Sequence, residues 1–242
     1  MHTASPFVIS GFTDAYETLV RPALEGTRNV LEAANRTPSV KRIVLTSSEA
    51  AIYGDNIDAR DAPNHTLDEN TWNTSSSVEH QPYPYSKVVA EREAWAIQKK
   101  QSRWDLVTIS PGLVLGPSLT RSSASTSLVF IKQLSDGTMY LGAPYLPMGV
   151  VDVRDVVDLH LRAMTHPAAK GERFLAVAGD FMWMAEMARV LKARLGADAR
   201  RVPTRQLPNW IVRLASLRDP AVKLILPELG RAKNASNEKA RR

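Results

Sequence analysis

Tyr83 and Lys87 are the two side chains whose types and spacing most directly offer chemistry. They sit in Tyr83-Pro84-Tyr85-Ser86-Lys87, which opens a run with apolar residues at Ala90, Ala94, Trp95 and Ile97. The run predicts a helix from Ser86 to about Gln101. On a helix, or on the lead-in to one, a four-residue spacing puts both side chains on one face. Pro84 suits a first helical turn, where a missing N–H costs nothing. A free phenol titrates near about 10, whereas a general acid–base works best with a pKa close to the working pH. Lowering the Tyr83 phenol by about three units takes about 4 kcal/mol of preferential stabilisation of the phenolate. A neighbouring ammonium supplies part of that. A phenol tuned this way hands a proton to a carbonyl oxygen in one direction and recovers it in the other. The plainer alternative is a helix-start tyrosine packed on a lysine stem.

The elements that must position this pair read as alternating helix and strand. A helical pattern runs from about Asp14 to Asn35, with Leu19, Val20, Leu24, Val30, Leu31 and Ala34 as its apolar stripe, and Pro38 stops it. Arg42-Ile43-Val44-Leu45-Thr46-Ser47 is short, apolar and β-branched, and predicts a buried strand that ends in Ser47-Ser48-Glu49. A polar, irregular loop from Tyr53 to Pro82 precedes the Tyr83 helix; loops of that length are usually functional or mobile. Asp105–Ser110 predicts a second strand, closed by Pro111-Gly112. A Ser/Thr-rich run from Ser118 to Ser127 leads to a helix over about 128–135, and short strands are expected at Met139–Leu141 and Gly149–Val151. Val153–Met164 reads as an amphipathic helix with Val156, Val157, Leu159, Leu161 and Met164 inward, and His160 and His166 as structural. Phe174–Val177 predicts a strand, Met182–Leu195 a helix stopped by Gly196, and 207–217 and 221–226 short helices. Residues from Arg231 onward read as polar and loose.

Composition bounds the function. The 242 residues are 44% hydrophobic and 23% charged, which is ordinary globular composition for one domain or one and a half. With no cysteine there is neither a disulfide framework nor a thiolate metal site, and no metal is expected. No apolar run is long enough for a membrane span, and no signal-peptide pattern follows Met1, so the reading is cytoplasmic. The net charge is +6, with the basic excess concentrated late and not interleaved with aromatics, which points to a solvated surface and not to nucleic-acid binding.

Taken in order, these stretches resemble the extended short-chain dehydrogenase/reductases of the NAD-dependent epimerase/dehydratase family, in the branch of dihydroflavonol 4-reductase and related aldehyde reductases. His2-Thr3-Ala4-Ser5-Pro6 is similar to the family's loop after its fourth strand, and Pro22–Ala33 to its following helix. Thr46-Ser47-Ser48 resembles the catalytic serine turn, Tyr83–Lys87 the catalytic helix, and Pro111–Pro117 the nicotinamide-side loop. Val151–Val156 resembles the entry to a late helix.

The resemblance implies an α/β fold built on a doubly wound parallel sheet. Residues 1–117 would form a partial NAD(P)-binding Rossmann domain, and 118–242 mostly a small α/β substrate-binding part. It also implies an NAD(P)-dependent reduction of an aldehyde, ketone or dihydroflavonol-like carbonyl, with NADP favoured over NAD, a small-molecule carbonyl or alcohol substrate, and a monomer or homodimer. In that scheme Tyr83 is the proton donor, Lys87 lowers its pKa and binds the nicotinamide ribose, and Ser48 hydrogen-bonds the substrate oxygen. Thr3, Ala4, Ser5, Pro111, Gly112, Leu113 and Val114 join Tyr83 and Lys87 in contacting the cofactor. The loop from Asp55 to Asn73, the Ser/Thr run after Gly116 and Tyr140–Leu146 would line the substrate side. Glu49 departs from the small residue expected beside the serine.

One family feature has no counterpart. A Rossmann domain opens with a strand, a Gly-rich turn and a helix whose N-terminus holds the pyrophosphate, yet the sequence contains no G-x-G-x-x-G or G-x-x-G-x-x-G. At about 30 residues per βαβ unit, two units or more are expected before Met1, and the chain reads as truncated at both ends, with an uncovered sheet edge. The alternatives are a nucleotide-sugar epimerase or dehydratase, for which Arg121 and Arg154 offer weak phosphate contacts, a 3β-hydroxysteroid dehydrogenase-like enzyme, and an inactive fragment that binds no cofactor.

Overall fold

A computed structural model describes residues 1–3, 11–60, 62–119 and 125–242. A π-helical turn, Tyr16–Val20, leads into α1 (Arg21–Arg36), and β1 (Arg42–Thr46) follows. The long loop then carries short 3₁₀ turns and β2 (Thr66–Leu67) before α2 (Pro82–Gln98). Next come β3 (Asp105–Pro111), β4 (Leu113–Leu115), α3 (Thr126–Ser135), β5 (Pro147–Met148), β6 (Val150–Asp152) and α4 (Val153–Thr165). The chain closes with β7 (Arg173–Ala176), β8 (Met182–Trp183), α5 (Met184–Leu195), α6 (Asn209–Ala215), α7 (Pro220–Leu224), β9 (Asn234–Ala235) and α8 (Glu238–Arg241).

β1, β3 and β7 form a parallel sheet in the order β1-β3-β7. Parallel neighbours need crossovers, and α2 and α4 supply them, which makes the fold Rossmann-like α/β. Alternation along the strands divides the core. Ile43, Leu45 and Leu106 pack with Leu31, Ala94 and Ile97 of α1 and α2. Val44, Val107 and Ile109 face the other way, onto Val156 and Ala163 of α4. On the outer side of β1, His2 bridges to Leu45. A separate apolar cluster joins α3, α5 and α6 through Leu134, Met184, Met187, Ala188 and Val212.

Several expectations are corrected. α2 begins at Pro82, four residues before the expected start, so Tyr83 and Lys87 both lie inside the helix. The two prolines fall in its first turn, where neither breaks a hydrogen bond. Met139–Leu141 forms a turn and not a strand. In α4 the inward face is Val156, His160 and Ala163, while Val157, Leu161 and Met164 are exposed. An i, i+4, i+7 stripe defines that face, and His160 belongs to it because both ring nitrogens find partners, Val156 O at 2.7 Å and Thr46 Oγ1 at 2.7 Å. Val30 of α1 is also exposed. The segment after Arg231 is tied down: Lys233 and Ala235 are buried, and β9 pairs in parallel with β2 inside the long loop. Gly196 stops α5 with φ 53°, as expected. Among the described residues no helix is long and apolar enough to cross a membrane.

Candidate active site

The site gathers at the C-terminal end of β1 and β3. β1 runs out at Thr46, and Ser47 N continues the pairing by donating to Ile109 O at 2.7 Å. Ser48 is in extended conformation and starts the 3₁₀ turn Glu49–Ala51, its Oγ accepting from Ala50 N at 3.2 Å. That bond is the turn-capping role open to any serine at such a position. The same side chain lies near enough to the Tyr83 hydroxyl to hold its pKa down. The strand end and α2 therefore approach one another at Ser48 and Tyr83.

Lys87 lies one turn further along α2, with Nζ 5.1 Å from the centre of the Tyr83 ring. It is buried, and burial lowers its ammonium to about 8. Burial likewise pushes the Tyr83 phenol well above its ordinary value. The nearby Ser48 hydroxyl opposes that rise and the charge of Glu49 adds to it. The direction is opposite to the lowering that the sequence reading attached to the pair. The reason is desolvation: two buried groups each favour their neutral form. A neutral phenol is the form that can donate a proton.

Glu49 turns inward. Tyr53 stands beside its carboxylate, and Oε2 is shielded from solvent without a hydrogen-bond partner among the described residues. Burial raises the carboxyl to about 7; the Lys233 charge and the nearby Tyr53 hydroxyl oppose the rise, and Glu228 adds to it. Lys233 stands 3.8 Å from the centre of the Tyr53 ring and pairs with Glu228 at 2.7 Å. Glycine is required on the other side of this carboxylate. A Cβ on Gly149 would lie 2.7 Å from Glu49 Oε2 and 2.6 Å from Phe181, and one on Gly112 would collide with the Gly149 carbonyl.

The expected cofactor contacts are placed unevenly. Pro111 ends β3 and Gly112, which follows it, lies against Glu49, whereas Leu113 and Val114 of β4 pack onto the α3–α5 cluster and the α4 side of the sheet. Gly112 N donates to Ala176 O at 3.1 Å and Leu113 N to Gly149 O at 2.7 Å, so both amides already serve the fold. Thr3 is exposed and follows His2, whose ring shares a cavity of about 20 Å³ with Thr27, Thr46, Ser47, Lys87 and Glu91. Ala4, Ser5 and Arg121 lie outside the described residues. A larger groove of about 760 Å³ lies between α4 and α8, on the far face of the sheet, and none of Ser48, Tyr83 or Lys87 lines it. Arg154 is engaged with Asp152 at 2.6 Å.

Sequence reasoning missed Glu91, Arg173 and Lys233. Glu91 is wholly buried beneath the site and ion-paired to Arg173 at 2.7 Å. Its signal was available, because Tyr83, Lys87 and Glu91 follow one another at four-residue spacing. Arg173 was visible as a charge at the edge of an apolar strand. Lys233 carried no local signal, since only long-range pairing of β9 buries it.

Comparison with known proteins agrees with this architecture. The sequence model of the NAD dependent epimerase/dehydratase family matches residues 2–177. Tetraketide alpha-pyrone reductase 1 of Arabidopsis thaliana is 35% identical over 199 residues, covering 80% of this chain and 57% of that protein. Ketoreductase azaE of Aspergillus niger is 34% identical over 227 residues, covering 86% of this chain and 63% of the relative. This chain thus spans less than two thirds of the length of either relative. Among solved structures, yeast methylglyoxal/isovaleraldehyde reductase Gre2 complexed with NADPH superposes with a TM-score of 0.75 at 24% identity, over 99% of this chain and 69% of Gre2. The parallel sheet, the Ser48–Tyr83 contact and the match over residues 2–177 place the chain in the NAD dependent epimerase/dehydratase family.

Proposed function

We propose that the chain carries the active site of an NAD(P)-dependent reductase that converts an aldehyde or ketone to the alcohol. The observation that carries this reading is the Ser48 side chain beside the Tyr83 hydroxyl, close enough to act on its titration, with Lys87 one turn away on the same helix. The two hydroxyls converge where a carbonyl oxygen could accept from both. Tyr83, held neutral by burial, gives that oxygen its proton, and Ser48 holds the oxygen in place and stabilises the charge developing on it. A bound nicotinamide supplies the hydride. Lys87 and Tyr83 would hold its ribose. The residues present fit the nicotinamide half of the cofactor, while the sequence offers no Gly-rich turn for the pyrophosphate.

NADP is the favoured form, on the support of the NADPH complex of Gre2, and the reductase names of the relatives support a carbonyl substrate. The test is titration of the purified chain with NADPH and with NADH, followed by nicotinamide fluorescence and by melting temperature, and then a panel of aldehydes and ketones. Binding with a raised melting temperature and turnover of a carbonyl is the expected result. No binding by either cofactor would refute the reading for this chain.

A further inference from the structure

We propose that Glu91 is a positioning residue for this site, one that locks the Ser47–Ser48 turn and the Tyr83–Lys87 helix into a single register. The inference rests on the roles proposed above for Ser48, Tyr83 and Lys87.

Glu91 is 0% exposed, and its carboxylate accepts four hydrogen bonds. Oε2 takes the Ser47 hydroxyl at 2.5 Å. Oε1 takes Thr108 Oγ1 at 3.0 Å, Trp95 Nε1 at 3.2 Å and Arg173 Nε at 2.7 Å. One side chain thereby joins α2 to the end of β1, the middle of β3 and the start of β7. Arg173 is fixed in turn: its Nη1 donates to Glu69 O at 2.5 Å and Thr71 O at 2.9 Å, and its guanidinium stacks 3.7 Å from the centre of the Trp72 ring. Glu69 Oε1 completes the circuit by accepting from Leu175 N at 2.9 Å.

The placement of these bonds argues for more than packing. Ser47 immediately precedes Ser48, and Glu91 follows Lys87 by one helical turn. A slide or rotation of α2 against β1 breaks the Ser47 bond first, and it moves Tyr83 away from Ser48 in the same motion. Apolar side chains of similar volume would fill this space, and buried ion pairs replaced in that way commonly cost little stability. What an apolar pair cannot do is direct Ser47. Partners that orient a reacting side chain in this way carry large effects on activity without touching substrate.

The test uses the 242-residue chain with two variants, Ser47→Ala and Glu91→Met/Arg173→Met. Three readouts are taken: melting temperature, the titration of Lys87 by NMR with isotope-labelled lysine, and steady-state reduction of an aldehyde with NADPH. The double variant should melt below the parent, because Ser47, Thr108 and Trp95 lose their acceptor, while remaining folded. Its Lys87 should titrate higher than the parent's value of about 8, because a loosened helix admits water. Its kcat should fall about 10- to 100-fold with KM little changed. Ser47→Ala should shift Lys87 in the same direction by less. Both variants keeping the parental Lys87 titration would overturn the proposal and leave Glu91 a packing residue. Should the double variant fail to fold, Ser47→Ala, which removes one hydroxyl, decides the question alone. Failure of the reductase reading is seen separately, as absent turnover in the parent, and the Lys87 titration still tests the positioning.

Discussion

The Lys87 ammonium nitrogen lies 5.1 Å from the centre of the Tyr83 ring, one helical turn below it, and both groups are withdrawn from water. The lysine is thereby moved toward neutrality and the phenol kept protonated. In this resting state the phenol keeps its proton and is a weaker acid than a free tyrosine, so a positive charge brought beside it would be needed to lower it toward the working pH; the expected behaviour of variants follows from this arrangement.

Tyr83→Phe removes the only hydroxyl on that ring while keeping its buried bulk. Turnover in the reductive direction should fall about 100- to 10,000-fold, with NADPH affinity nearly unchanged. Steady-state kinetics paired with fluorescence titration checks this. Retained turnover would remove Tyr83 from the acid role.

Lys87→Met separates the lysine's contribution to stability from its contribution to function. The folded protein holds the ammonium at about 8, below its ordinary value of 10.5. The unfolded chain therefore binds the proton more tightly, and the parent loses stability as pH falls from the ordinary value through about 8. Methionine escapes that penalty. The variant should be more stable than the parent below pH 8 by about 1–3 kcal/mol, while binding NADPH more weakly and turning over more slowly. Denaturant melts across the pH range test the first part, and equal pH dependence in both proteins would contradict it.

Glu49→Gln has the opposite sign. The folded carboxyl titrates at about 7, above its ordinary value of 4.5. The folded state then binds the proton more tightly, and the contribution of Glu49 is greatest below the ordinary carboxylate range and is lost as pH rises through about 7. The glutamine variant should lose this dependence and gain stability over the parent at pH 8. Because the charge of Glu49 raises the Tyr83 phenol, the same variant should lower the pH at which that phenol titrates. An unchanged ultraviolet tyrosine titration would contradict the coupling.

Gly149→Ala places a methyl 2.7 Å from Glu49 Oε2 and 2.6 Å from Phe181. The resulting overpacking should cost about 1–3 kcal/mol, read as a lowered melting temperature. Relief by Glu49→Ala in the same chain would show that the carboxylate is the obstacle.

Local pattern made much of this molecule legible. Ile43-Val44-Leu45 and Leu106-Val107 are short β-branched and apolar runs, and they became the buried strands that such runs specify when helices cover both faces. The Tyr83–Lys87 spacing gave the shared helix face, and the resemblance supplied Ser48 as their neighbour. Long-range partners escaped the reading. His160 displaced the more apolar Val157 and Leu161 from the inward face of α4 because Thr46 and Val156 satisfied its ring. Lys233 reads as a loose tail until β9 meets β2, and only then can it reach Tyr53 and Glu228. Glu91 and Arg173 are 82 positions apart, and periodicity over a window of one helix cannot join them.

The most direct test of the account is NADPH-dependent reduction of an aldehyde by the parent chain and by Tyr83→Phe, with cofactor affinity measured on both. The account predicts that both bind NADPH and only the parent turns over. Equal turnover by the two proteins, or binding by neither, would contradict it.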